Sequence, residues 1–205
     1  MYIRKIHYIS GLCLTLFVGL HLFNHAWSIL GAEKHIEIMN VLRKFYRHFL
    51  IESILLLAVA VQIVSGLQLF KTKRTTDFGF FNKLHLWSGL YLAFFLIIHV
   101  SAVMGGRYLL KLDTNFYFGV AGLNHFPLNL FFIPYYGLAI FSFFGHIASV
   151  HHKKMTHKVL GITPHTQVVI ILLLGITITL LVFYGLTNHF RGMIIPAEYT
   201  ILKLK

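Results

Sequence analysis

Apolar residues run along this 205-residue chain in five long blocks, at about 6–30, 50–70, 84–104, 128–150 and 165–187. Each comes near the ~20 residues with which a helix crosses a ~30 Å hydrocarbon core. An open backbone N–H or C=O has no partner in lipid, so blocks of this length and character must be helices. The polar stretches between them carry patterns of their own. In the 31–49 connection His35, Met39, Arg43 and Arg47 recur at four-residue steps, which predicts a short amphipathic helix lying on the membrane surface. The 105–127 connection, with Gly105-Gly106 and Pro127, reads as irregular. Thr163-Pro164 marks the start of the last helix, Thr163 as its cap and Pro164 in its first turn. The predicted fold class is therefore all-α: one membrane domain spanning 1–205, with five transmembrane helices and no soluble catalytic domain.

Composition agrees. Hydrophobic residues make up 57% of the chain and charged residues 12%, about half the charged share of an ordinary soluble domain. The first block is long, holds three histidines and lacks a small-x-small cleavage site, so it reads as a retained helix and not as a signal peptide. The single cysteine, Cys13, lies within it and reads as a small buried residue. One cysteine excludes a disulfide or a thiolate-held iron–sulfur cluster within this chain.

The net charge of +12 sits in tails and short connections, where it answers to topology and anionic membrane lipid, not to nucleic acid. Lys71, Lys73, Arg74 and Lys83 lie in one connection, opposed only by Asp77; Lys153, Lys154 and Lys158 lie in another. Lysines and arginines are equally numerous on the two sides, but denser on the N-terminal side. The expected topology places the N-terminus in the cytoplasm, in a bacterial cytoplasmic (inner) membrane crossed several times. The same basic face reads as a docking surface for an acidic soluble partner.

The candidate chemistry lies in an internal repeat. His7 to His21 and His85 to His99 both obey H-x-x-S-G-L-x-L-x-x-F-x-x-x-H. Fourteen residues are just under four turns, so both histidines of each copy share one helix face, about 21 Å apart along the axis. Ionisable residues inside a membrane are costly, and their default reading is functional. The two copies run in the same direction, which puts His21 and His99 at one depth. Two imidazoles facing each other across a bundle supply bis-histidine coordination of a haem b iron, an arrangement suited to electron transfer. His25, one turn beyond His21, reads as structural, with a propionate or quinone contact as the alternative. His7 and His85 are candidates for a second haem, or for interfacial, quinone or propionate contacts; Gly11 and Gly89 beside them would let a porphyrin approach the backbone. In this two-layer pattern the chain is similar to cytochrome b of the quinol–cytochrome c oxidoreductases. His146, in Phe143-Phe144-Gly145-His146, competes for the same layer. His35, His48, His125, His151, His152, His157, His165 and His189 fall in connections or at helix ends and read as interfacial.

From about residue 4 to residue 187 the chain resembles the five-helix, di-haem cytochrome b subunit of succinate dehydrogenases and fumarate reductases. The likeness rests on Arg4-Lys5-Ile6-His7 with Gly11 and His21, Tyr46-Arg47 and Glu52, Ser88-Gly89 with His99, His146, and Gly161-Ile162-Thr163-Pro164-His165-Thr166-Gln167. In that family the distal haem takes its ligands from the first and third helices, which match His21 and His99. The proximal haem takes its own from the second and fourth, which match His146 and, where a histidine is expected, Gln62. Glutamine is a poor haem ligand. Three arrangements follow: one haem only, a second held by His146 with His85 or His7, or a five-coordinate second haem. The resemblance implies a membrane anchor that is not itself catalytic and passes electrons between a quinone pool and flavoprotein and iron–sulfur subunits. The alternatives are a haem b subunit of another respiratory or photosynthetic complex, or a structural subunit without haem.

Overall fold

The computed structural model describes residues 2–72 and 79–202; Lys73, Arg74 and Asp77 of the charge argument lie outside these. Helix α1 spans Tyr2–Ala26 and continues as a 3-10 turn, Trp27–Leu30. It is followed by α2 (Ala32–Tyr46), α3 (Phe49–Thr72), α4 (Phe80–Tyr108), α5 (Phe116–Val120), α6 (Asn129–Lys154), α7 (Pro164–Leu186) and a closing 3-10 turn, Ala197–Leu202. The fold is all-α, and α1, α3, α4, α6 and α7 are long and apolar enough to cross a membrane. These helices overrun the apolar blocks that announce them, because terminal residues such as Arg4, Lys5 and Lys83 continue a helix while their charged heads reach water. Thr163 caps α7 as its sequence predicts, its hydroxyl accepting the N–H of Thr166 at 3.2 Å, with Pro164 in the first turn.

Two expectations are corrected. Gly105 and Gly106 do not end α4, which continues to Tyr108. A Cβ on Gly106 would lie 2.7 Å from the ring of Phe118, so this glycine admits a returning aromatic side chain. The 105–127 connection is also less irregular than expected: Asn115 caps the short α5, whose Phe116 and Val120 are buried. Cys13 is half-buried, not buried.

The five long helices alternate in direction. At the N-terminal end Lys154 of α6 sits over the Tyr8 ring of α1, and His151 meets Gln167 of α7 at 2.7 Å. At the far end Arg107 of α4 pairs with Glu52 of α3, and the Asn124 amide donates to the Leu186 carbonyl at 2.9 Å. The principal helix contacts are α1 on α3, α4 on α6 and α6 on α7. Small residues allow close approach: Gly175 lies under Phe144, Gly145 under Leu84 and Gly137 under Phe183. The exterior is apolar, unlike that of a soluble protein. Leu16, Leu57 and Leu180 are 70%, 65% and 61% exposed, whereas Ser10, Ser65, Ser88, Ser149 and Thr179 are buried. An apolar exterior, with small polar side chains held inside the bundle, is the arrangement that lipid selects. The densest apolar cluster, Leu22, Phe116, Val120, Leu123, Ile140, Val182 and Leu186, closes the far end under α2 and α5.

Candidate functional site

Between α1, α3, α4 and α6 lies a cavity of about 1130 Å³. It is larger than the roughly 300–1,000 Å³ of ordinary small-molecule sites. All five sequence candidates line it, His7, His21, His85, His99 and His146, and so do His25, His35 and Gln62.

Deep in the far half, the rings of His21 on α1 and His99 on α4 stand 6.1 Å apart, centroid to centroid, at 69° to each other. Each is seated by a phenylalanine one turn earlier on its own helix. Phe17 stacks on His21 at 5.9 Å, and Phe95 stacks on His99 at 4.9 Å. These are repeat-equivalent residues, so the duplicated sequence builds a duplicated half-site. A metal–imidazole bond of ~2.0 Å plus about 1.1 Å from nitrogen to ring centre puts two rings that share one ion about 6 Å apart. The observed spacing meets that requirement. Among the described residues no group of three or more His, Cys, Asp or Glu is arranged to hold a bare ion.

His35 departs from its interfacial reading. It is 2% exposed, because the four-residue stripe of α2 turns inward and also buries Met39. Its Nε2 lies 3.2 Å from His25 Nδ1 and 3.2 Å from Asn24 Nδ2, and His25 Nε2 lies 3.1 Å from His21 Nε2. Burial, then the nearby His21 and Arg43, lower the His35 pKa to about 4, which keeps its ring neutral at physiological pH. The stripe at 35, 39, 43 and 47 was the signal for this inward face; a polar Asn24 between two helix histidines was the signal for its partner. Outside them Arg43 pairs with Asp113 at 2.8 Å and Arg47 donates to Thr114 Oγ1 at 2.9 Å. Together with the Glu52–Arg107 pair they make a charged rim at the far mouth.

The near half is built differently. Gln62 of α3 accepts the Ser10 hydroxyl at 2.6 Å, and its Nε2 lies 3.2 Å from His7 Nε2; His7 Nδ1 meets Ser65 Oγ at 2.9 Å. Across the cavity His146 Nδ1 meets Ser88 Oγ at 3.3 Å. Ser10 and Ser88 are repeat-equivalent, and Gln62-x-x-Ser65 on α3 matches His146-x-x-Ser149 on α6. The glycines repeat as well: a Cβ on Gly11 would stand 3.4 Å from Gln62, and one on Gly89 3.1 Å from His146. The duplication thus covers helix pairs, α1 with α3 and α4 with α6, and Gln62 stands where the second pair has His146. The rings of His85 and His146 meet edge to face at 4.3 Å, closer than the roughly 6 Å of two rings sharing an ion. One of them must turn aside for either to hold a metal with a partner across the cavity.

No family model, no curated protein and no solved structure matches this chain.

Proposed function

We propose that this protein is a haem b membrane subunit that carries electrons between a quinone pool and a soluble flavoprotein and iron–sulfur partner, as in succinate dehydrogenases and fumarate reductases. The observation that carries the reading is the 6.1 Å spacing of two cavity-lining imidazoles from repeat-equivalent positions. A pair of ligands needs a metal whose other positions are already filled, and a porphyrin fills four of them. When bound, a haem would supply one-electron transfer here. His21 and His99 would hold it, with Phe17 and Phe95 stacked on their rings. Apolar cavity residues such as Leu14, Leu92 and Leu96 would keep water from the bound group and so favour electron exchange. The described residues form no flavin fold, and a single cysteine cannot hold a cluster, which supports an electron-transfer subunit that works with a separate dehydrogenase.

The near half, with His7, His85 and His146, is a polar chamber in which Gln62 stands where the resemblance expects the second haem's other histidine. It suits contact with a quinone or with the edge of the first haem. Lys71, Lys83, Lys153 and Lys158 are exposed on the N-terminal end and make that end the cytoplasmic docking face of a bacterial inner-membrane complex.

The test is a reduced-minus-oxidised spectrum of the purified protein. A low-spin haem b spectrum is expected, and His99→Ala should abolish it. An unchanged spectrum in that variant refutes the ligand assignment.

A further inference from the structure

The charged rim at the far mouth does not balance. Three guanidiniums stand there, Arg43, Arg47 and Arg107, with two carboxylates, Asp113 and Glu52. Arg43 meets both oxygens of Asp113, at 2.8 and 3.2 Å. Arg107 likewise meets both oxygens of Glu52. Arg47 is left with the edge of Asp113 at 4.0 Å and the Thr114 hydroxyl at 2.9 Å. A guanidinium carries five N–H donors, so among the described residues Arg47 is short of acceptors. Burial, and then the neighbouring Arg43 and Arg107, hold its pKa below the usual arginine value, yet an arginine keeps its charge at any physiological pH. With its side chain 28% exposed, it is a largely buried cation without a counter-charge of its own, which is a costly state. The surplus calls for an anion.

Arg47 and Thr114 line the same cavity as His21 and His99. Tyr46, next to Arg47 in the chain, meets Phe17 edge to face at 5.6 Å, and Phe17 stacks on His21 at 5.9 Å. The rim therefore stands two ring contacts from the imidazole pair. Cations of the other mouth are too distant to serve it: Arg4 lies seventeen residues before His21 on α1, about 25 Å along the axis. We propose that Arg47 anchors the carboxylates of the bound porphyrin, which sits in the cavity with its acidic edge turned to the far mouth. This orientation rests on the haem reading above and adds to it the residue that selects one way round. Two axial imidazoles are indifferent to rotation of the porphyrin about the axis they define. Its edges are not alike, since a haem b carries two propionates on one edge and hydrocarbon substituents elsewhere. The planar fork of Arg47 matches a carboxylate, and an anion brought to it by the cavity's own occupant supplies the missing charge.

The test titrates the full chain, purified haem-free in detergent, with haem b and with its dimethyl ester, in which both carboxylates are capped. Wild type should bind the free acid roughly 10–100-fold more tightly, the worth of hydrogen bonds to a charged group. Arg47→Gln should bind the two forms about equally, with the low-spin spectrum kept, and Arg47→Lys should recover part of the preference. A merely structural role for Arg47 would weaken both forms alike and leave the preference intact, so an Arg47→Gln protein that keeps the full preference overturns the proposal. A wild type that binds acid and ester equally also overturns it, and assigns the counter-charge of Arg47 to an anion from elsewhere, such as a lipid phosphate. If Arg47→Gln does not accumulate, Arg47→Lys decides: a reduced preference supports the anchor, and an unchanged one overturns it. A wild type that binds neither form in a low-spin state overturns the haem reading itself, a failure distinct from loss of the discrimination alone.

Discussion

Gln62→His tests whether the near half of the cavity is a haem site with one ligand missing. The repeat places Gln62 where the other helix pair has His146, and both side chains meet the serine of the facing helix, Ser10 and Ser88. An imidazole at position 62 can retain the Ser10 contact through Nδ1, as His146 does with Ser88 at 3.3 Å. It loses the Gln62–His7 contact, worth about 1 kcal/mol. His146 must also part from the edge-to-face contact with His85 at 4.3 Å, worth roughly 0.5–1.5 kcal/mol. The first loss falls on the variant's stability; only the second opposes haem binding, and at about 1 kcal/mol it lowers affinity for the second haem on the order of 5-fold relative to two unencumbered ligands. Gly11 and Gly89 leave both walls thin at this level. With haem in excess, the haem-to-protein ratio measured by pyridine haemochrome should rise from one to two, and the redox titration should gain a second step. A ratio that stays at one under haem excess refutes the equivalence of Gln62 and His146. Two bis-histidine haems already present in the wild type refute the idea that Gln62 disables the site.

Reversing Lys71, Lys153 and Lys158 to Glu should release a soluble partner at low salt while the haem spectrum stays intact; a complex that survives, with topology unchanged, assigns these charges to orientation alone. Lys73 and Arg74 belong to the same face by sequence, whereas Lys154 is committed to the Tyr8 ring and makes a poorer probe. At the opposite end, Glu52→Ala leaves Arg107 without its carboxylate. With side chains 18% and 19% exposed, the pair lies between buried and surface limits, and the variant should lose about 1–3 kcal/mol in detergent unfolding. Adding Arg107→Met should recover part of that loss, and strict additivity in the double-mutant cycle would contradict a coupled pair.

Much of this architecture is legible in one dimension because lipid makes only two demands of a helix, length and apolar content. The five spans, the amphipathic α2 and the Thr163-Pro164 start of α7 follow from those demands and from local capping. The repeat likewise puts His21 and His99 at one depth, since equal spacing on parallel helices means equal height. Only the tertiary structure decides what depends on which faces meet. It turns the α2 stripe inward, so that His35 is buried against His25 instead of resting at the surface. It brings Ser10 to Gln62 and Ser88 to His146, which reveals a duplication of helix pairs that the sequence hides: the two copies are offset by 78 residues in α1 and α4 but by 84 in α3 and α6. It carries α4 through Gly105-Gly106, where a glycine pair alone suggests a break. Hydropathy reports a residue's preference between lipid and water; it is nearly silent about the rotation of one helix against the next. In an interior where polar side chains find only one another, that rotation selects the partners.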